Sequence, residues 1–358
     1  MHELEIAHNF QRWINEKGFS EQIIGELLEK DFFSLEDEQK STYLYDLFNG
    51  LMLYDIKPEV IVCLYRQLMK LDSYKRENVA KLNFPGRVVL ECTGSGKKPF
   101  KTLNISTPSI ITAVASGAYI IKKGSGSTSS IIGSSDLLYG LGLRGRMSNE
   151  DTKDLLQATG FTFIDIEKVI PVFNSFYNGY FYKPHILSYI LAADVTSLRG
   201  DKIVYGLSGS DVMKCCKCLS LNKSCGDVVV YCSTENEVEY YDELIGGGIS
   251  YMAKKVSDDK QLTLSQYRLS LPSPRLLPAA LTRKESINAI VELFKFHKNE
   301  SYCKVVSYNA GLYLLEAGIV NDIEEGQDIA MASILSGQAY KKLVEVIKCS
   351  GGRPTWNE

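Results

Sequence analysis

Two short apolar runs, Val88, Val89, Leu90 and Ala118, Tyr119, Ile120, Ile121, each give way to a loop of glycine, serine and lysine, and each loop leads into a helical pattern. Strand, small-residue loop and helix in that order are the rhythm of an α/β domain, because a parallel strand needs a crossover helix before the next strand can lie beside it. Further strands are predicted at residues 202–205 and 228–231, and helices at 284–296 and 326–349. Ahead of Pro85 and Gly86 the texture differs. Ile23, Ile24, Leu27 and Leu28, then Leu44, Leu47, Leu51 and Leu53, then Val60, Cys63, Leu64 and Leu68 recur at helical spacing, and Pro58 suits a first helical turn. The expected architecture is therefore α/β. A small N-terminal helical domain, residues 1–80, is completed by a helical segment around 183–198, and a large α/β domain, residues 81–358, has a central mixed sheet flanked by helices.

Composition narrows the partners. Of 358 residues, 40 are Lys or Arg and 43 Asp or Glu, so the net charge is −3, and 45% of the chain is hydrophobic. That is enough apolar surface for two cores, and no run of five or six like charges resembles a nucleic-acid or membrane footprint. Four widely spaced histidines argue against a multi-histidine metal site. Nine cysteines, an odd number, together with a start (Met1 to Glu5) lacking a basic region followed by an apolar stretch, give an expectation of reduced thiols and a cytoplasmic setting. Cys215, Cys216, Cys218 and Cys225 lack the spacing of paired zinc ligands, and on a helix starting near Asp211 they point in different directions.

Four segments are suited to an anionic ligand. The loop Thr93, Gly94, Ser95, Gly96, Lys97, Lys98 follows a strand, so its backbone N–H groups can approach an anion; it reads equally as a surface turn. In Asn104-Ile-Ser-Thr-Pro108, Ser106 or Thr107 can cap a helix with Pro108 in its first turn, leaving N–H groups at a positive dipole end. In the third, Lys122 and Lys123 precede Gly124 and five hydroxyl side chains, among them Ser129 and Ser130, a composition suited either to a pyrophosphate or to a flexible connection. Asp242 and Glu243, with glycines close behind, offer carboxylates to Mg²⁺, although Asp37 and Glu38 form the same pair elsewhere.

Taken in order, these segments resemble the anthranilate phosphoribosyltransferase family, whose glycosyltransferase fold is related to the pyrimidine nucleoside phosphorylases. The likeness covers nearly the whole chain. The family's Gly-Thr-Gly-Gly-Asp loop looks like Cys92 to Gly96, its Asn-Ile-Ser-Thr helix start is present as Asn104 to Thr107, and its Lys-His-Gly-Asn-Arg loop is similar to Lys122 to Gly126 with Ser129, Ser130, Ser134, Ser135 and Asp136 behind it. The Asp-Glu magnesium motif matches Asp242 and Glu243, and Asn309, Ala310 and Glu324 to Gly326 echo the C-terminal motifs.

The resemblance implies a Mg²⁺-dependent enzyme that moves the phosphoribosyl group of phosphoribosyl pyrophosphate to an aromatic acceptor. It implies that Thr93, Gly94, Ser95, Gly96, Asn104, Ser106, Thr107, Lys122, Gly124, Ser129 and Ser130 hold the phosphoribosyl pyrophosphate, and that Ser106, Asp242 and Glu243 hold the metal. The acceptor pocket is expected around Lys123, Tyr182, His185 and Asp194, and a homodimer is expected through the helical domain, with no membrane or nucleic-acid partner.

The departures concern the acceptor. The first loop is two residues longer than the family's and carries Lys97 and Lys98 in place of its aspartate, and the second has Lys123, Ser125 and Gly126 where the family has His, Asn and Arg. The arginine expected near the acceptor carboxylate falls by count at Ala193 and Asp194, with no arginine before Arg199. An aspartate there repels anthranilate, so a different planar acceptor is expected, stacked on a wall drawn from Phe173, Phe176, Tyr177, Tyr180, Phe181 and Tyr182, residues that read equally as core. Lys97, Lys98, Lys101, Lys122 and Lys123 are expected to converge on the polyphosphate. Phosphorolysis or another ribosyl transfer, and a catalytically decayed binding protein on the same fold, are the alternatives.

Overall fold

The structure is a computed structural model that describes residues 2–97, 102–126, 132–177, 180–222, 226–256, 261–279 and 282–356, with side chains from residue 5 onward. The chain opens with four helices, α1 (His2–Lys17), α2 (Glu21–Leu28), α3 (Asp37–Leu51) and α4 (Pro58–Met69). Ser20 caps α2 by accepting from the Ile23 amide, and Pro58 occupies the first turn of α4, where its missing N–H would have had no helical partner. Because α3 ends at Leu51, Leu53 falls off the helical stripe and lies 70% exposed, against the expectation from spacing.

The sheet contains β1 (Val89–Gly94), β2 (Tyr119–Gly124), β3 (Phe161–Asp165), β4 (Lys202–Gly206), β5 (Asp227–Thr234), β6 (Tyr240–Tyr241), β7 (Ile249–Lys255) and β8 (Thr263–Tyr267). It is mixed. The order is β3-β2-β1-β4-β5-β7-β8, with β6 on β5; the pairs from β3 to β5 are parallel, and β6, β7 and β8 are antiparallel additions. The chain leaves β1 toward β2 on one side and reaches β4 on the other, so β1 and β4 flank a topological switch point, where loops leaving the carboxyl ends of adjacent strands part and open a crevice.

The connecting and C-terminal helices are α5 (Ser106–Ala115), α6 (Ser134–Gly140), α7 (Asn149–Thr159), α8 (Ile166–Val169), α9 (Pro171–Tyr177), α10 (Leu191–Asp194), α11 (Val212–Leu221), α12 (Arg283–Phe296), α13 (Glu300–Glu316), α14 (Ile323–Leu335) and α15 (Gln338–Cys349). The single helix expected at 326–349 is two, because Gly337 takes a left-handed φ of 75° that ends α14's run and starts α15. One face of the sheet packs Leu90, Val204 and Val229 against Ile110, Val306 and Val346. The other packs Ile203, Tyr205 and Val230 against Phe48, Leu64 and Tyr65 of the N-terminal helices and Phe173, Leu187 and Leu219. The N-terminal helices therefore share a core with the sheet.

Asp211 caps α11 by accepting from the Lys214 amide, and Cys215, Cys216 and Cys218 behind it are buried free thiols whose pKa burial raises. Cys225 lies outside the described residues. Among those described, no His, Cys, Asp or Glu group of three or more is arranged to hold a metal by itself, and no helix is long and apolar enough to cross a membrane.

Candidate active site

A cavity opens at the carboxyl edge of β1, β2 and β4, lined by Thr93 to Lys97, Asn104, Ser106, Lys123 to Gly126, Asp242 and Glu243, and closed on its far side by α9 and residues 188–192. The first loop is tied down at both ends. The Ser95 amide donates to the Gly206 carbonyl at 2.9 Å and the Ser95 hydroxyl accepts from the Ser208 amide at 2.8 Å. The Gly96 amide donates to Asp242 Oδ2 at 2.8 Å. Two glycines are required by this approach: a Cβ on Gly94 would lie 2.4 Å from Asp242 Oδ2, and one on Gly206 would lie 2.0 Å from the Asp242 carbonyl oxygen. Strand ends without side chains thus let the carboxylate loop cross the β1–β4 crevice.

The start of α5 is capped from Asn104, whose Oδ1 accepts from the Thr107 amide at 2.8 Å, and not from Ser106 or Thr107. Ser106 is thereby left facing the cavity, where its hydroxyl accepts from Lys122 Nζ at 3.1 Å. The Asn104 carbonyl is itself held by the Tyr302 hydroxyl at 2.5 Å. Thr107 and Lys122 are buried directly behind this surface and do not line the cavity; Ser129, Ser130, Lys98 and Lys101 lie outside the described residues.

Asp242 and Glu243 follow β6 and are buried, 5% and 3% exposed, on the cavity wall. Asn309 on α13 fixes them by clamping the next residue: its Oδ1 accepts from the Leu244 amide at 3.0 Å, and its Nδ2 donates to the Leu244 carbonyl at 2.8 Å and to Val305 at 2.9 Å. Two carboxylates and the Ser106 hydroxyl on one cavity form an all-oxygen donor set. That set suits Mg²⁺, which is commonly held by one or two carboxylates and completes its shell with substrate phosphates and water.

The acceptor side departs from the expectation. Asp194 does not face the cavity: it is 0% exposed, its Oδ2 accepts from the Tyr65 hydroxyl at 2.7 Å, and its carbonyl accepts from Arg76 at 2.5 Å and from Tyr74 at 3.0 Å. Arg76 also pairs with Glu91 at 2.5 Å, and Lys123 pairs with Glu91 at 2.9 Å and donates to the Ala193 carbonyl. Burial would push the Glu91 carboxyl up, but Arg76 and Lys123 together outweigh it and bring it to about 2. Arg76 and Lys123 thus offset Glu91 and Asp194 behind the cavity wall, and the repulsion expected of Asp194 is absent.

His185 is also fully buried. Its Nδ1 accepts from the Leu187 amide and its Nε2 lies 2.8 Å from the Tyr177 hydroxyl, with the ring stacked on Phe48. Tyr182 is 58% exposed and, with Tyr180, points away from the cavity, while Phe176 and Phe181 are core. Of the aromatic wall only Phe173 and Tyr177 line the site, placed there by α9, whose first amides at Val172 and Phe173 are both capped by Asp72 at 2.8 Å.

Of the lysines expected to converge, those described do not meet at one point. Lys97 turns to the aromatic end, where its Nζ donates to Tyr177 at 3.1 Å and stands 3.5 Å from the Ser188 hydroxyl. Glu167 and Tyr205 are among the lining residues that the sequence did not single out. Glu167 at the start of α8 accepts from the Gly126 amide at 3.2 Å, and burial, helped by Asp165, raises its carboxyl. Tyr205, a residue of apolar strand β4, donates its hydroxyl to the Ser188 carbonyl at 2.8 Å. Neither belongs to a local motif, and no sequence signal marked them.

A strand-end crevice with an Asn-capped helix start, a lysine behind its serine and an adjacent carboxylate pair suits an anionic ligand and a cation, and the proteins that the chain resembles are glycosyl-transferring enzymes. Residues 87–177 match the model of the glycosyl transferase family, a/b domain. The chain is 25% identical over 276 residues to the anthranilate phosphoribosyltransferase of Pyrobaculum arsenaticum (73% of this chain, 77% of that one) and 27% identical over 275 residues to that of Shewanella baltica (74% and 73%). Its fold matches the Thermus thermophilus anthranilate phosphoribosyltransferase with a TM-score of 0.69 at 20% identity, covering 98% of this chain and 100% of that one. It matches the Saccharomyces cerevisiae enzyme, solved in complex with phosphoribosyl pyrophosphate and Mg, with a TM-score of 0.69 at 19% identity over 98% and 99%. The chain thus resembles the anthranilate phosphoribosyltransferases, at a distance, in sequence and in fold.

Proposed function

We propose that the protein transfers the phosphoribosyl group of phosphoribosyl pyrophosphate to an aromatic acceptor in a Mg²⁺-dependent reaction. The observation that carries this reading is the meeting, at one switch-point crevice, of the α5 start with Ser106 and Lys122, the loop from Thr93 to Gly96, and the Asp242–Glu243 pair. The start of α5, with the Ser106 hydroxyl at its positive dipole end, suits the 5-phosphate, since helix N-termini attract anions. Gly124 and the loop carrying Ser129 and Ser130 suit the pyrophosphate, Lys122 adds its charge from behind the wall through Ser106, and Asp242, Glu243 and Ser106 would hold the metal. When bound, Mg²⁺ supplies charge neutralisation for the leaving pyrophosphate.

In this reading the acceptor's nucleophile bonds to the anomeric carbon as the carbon–oxygen bond to pyrophosphate breaks. The protein's part is positioning and electrostatics, as in phosphoryl transfer. The chain's free thiols, eight among the described residues, suit a reducing cytoplasm.

Calorimetry of phosphoribosyl pyrophosphate with Mg²⁺, followed by pyrophosphate release with a panel of aromatic acceptors, tests the reading. Saturable binding that is lost in the Asp242→Asn/Glu243→Gln double variant is the expected result. Absence of binding at millimolar ligand refutes it, and phosphate-dependent release of a base from nucleosides in its place points to phosphorolysis.

A further inference from the structure

Lys97 is the cation of the aromatic end. It is 8% exposed, lines the cavity, and among the described residues lies within ion-pair distance of no carboxylate. Its neighbours are the hydroxyls of Tyr177 and Ser188 and the ring faces of Tyr177 and Phe181, whose centroids lie 5.6 and 5.8 Å from Nζ. Hydroxyls and ring faces leave an ammonium under-compensated, and burial lowers this amine to about 7.

The groups around it are arranged to donate. His185 Nδ1 accepts from the Leu187 amide, so the neutral ring, kept neutral by burial and by Lys97, carries its proton on Nε2 and directs it to Tyr177. Tyr177 oxygen then accepts from both Lys97 and His185, which leaves the tyrosine's own proton for a third group. Two donors, Lys97 Nζ and Tyr177 O–H, meet at one end of a cavity walled by Phe173 and Tyr177, and Asp242 is joined to the same loop through the Gly96 amide.

We infer that Lys97 is a specificity-determining residue of the acceptor site, pairing with an anionic group, a carboxylate, on the aromatic acceptor. This inference rests on the proposed transfer reaction for the identity of that half of the cavity. The cation comes from the loop after β1 and reaches Tyr177 and Ser188, so the acceptor's acidic group is held at that end of the cavity.

The experiment compares benzoate, 2-aminobenzoate and 4-aminobenzoate with their uncharged amides, by calorimetry, with and without Mg²⁺ and phosphoribosyl pyrophosphate. Wild-type protein should prefer each acid over its amide by about tenfold or more, the scale of one charge-assisted pair in a desolvated site. Lys97→Met should erase that preference, leave phosphoribosyl pyrophosphate affinity unchanged and raise the melting temperature, since it removes an under-compensated buried charge; Lys97→Arg should restore the preference. In wild type the acid affinity should fall as pH rises above about 7, where the free amine loses its proton, with Tyr177 and His185 the other titratable groups at that end; in Lys97→Arg it should not. An amide bound as tightly as its acid, no acid bound at millimolar concentration, or a preference that survives Lys97→Met overturns the inference. A wild type that prefers acids yet fails to bind phosphoribosyl pyrophosphate refutes the donor reading and leaves the role of Lys97 supported.

Discussion

Replacing Glu91 with Gln isolates the buried charge network that joins the helical region to the sheet. Arg76 and Lys123 face Glu91 and Asp194, all four 0–2% exposed, so the cluster is formally neutral and the shape-conserving variant leaves one surplus positive charge. The amide also turns N–H donors toward one of two cations. Breaking a buried pair in this way costs about 3–5 kcal/mol.

The carboxyl itself gives an independent estimate. Lowered from 4.5 to about 2, it contributes on the order of 3 kcal/mol. Because the folded value lies below the unfolded one, that contribution is complete above 4.5 and is lost as pH falls toward 2. By pH 3 about 2 kcal/mol of it is gone. Urea unfolding followed by circular dichroism should therefore show a gap between wild type and Glu91→Gln that is large at pH 7 and about 2 kcal/mol smaller at pH 3. Adding Lys123→Met should recover part of the loss by removing the surplus charge. A variant as stable as wild type at pH 7, or a gap that does not shrink in acid, refutes the claim that the network is a set of compensated charges.

Gly94→Ala places a Cβ 2.4 Å from Asp242 Oδ2, so the carboxylate must swing off the Gly96 amide; phosphoribosyl pyrophosphate affinity with Mg²⁺ should drop by about tenfold or more in calorimetry, while thermal unfolding shows a loss of only about 1–3 kcal/mol. Asn309→Ala removes three hydrogen bonds, two of them on Leu244, and should lower stability by about 2–3 kcal/mol in thermal melts, with weaker Mg²⁺-dependent binding because Glu243 loses its anchor.

The parallel strands β1, β2, β4 and β5 were legible because strands buried on both faces read as unbroken apolar runs, whereas β3, whose Phe161-Thr-Phe-Ile-Asp165 alternates, was not. Asp242 and Glu243 were legible only through the order of segments, since an adjacent acidic pair is common and its burial is a tertiary fact. The role of Asp194 was not legible. Its partners Tyr65, Tyr74 and Arg76 lie well over a hundred residues away in sequence, on α4 and the connection after it, which carry no motif. Position by count placed an aspartate where the family has an arginine, but count says nothing about which way a side chain points after an insertion. Lys97 was misplaced for the same reason: its position in the loop does not say that its ammonium meets Tyr177 at the aromatic end.

The arrangement of signs along the cavity fits the metal role proposed for the carboxylate pair. Positive groups stand at both ends, the α5 start with Lys122 at one and Lys97 at the other, and Asp242 and Glu243 stand on the wall between them. A polyphosphate entering without a cation meets two buried carboxylates, and each pair of like charges at about 5 Å costs on the order of 3 kcal/mol at an effective dielectric near 20. Asp242→Asn/Glu243→Gln should therefore act with opposite sign in two conditions: weaker binding of phosphoribosyl pyrophosphate when Mg²⁺ is present, and tighter binding than wild type in a chelator. A pair that served only to hold the loop would weaken binding in both, because the loss of structure does not depend on the metal; that outcome would remove Asp242 and Glu243 from the metal site and leave Asn309 clamping a structural turn.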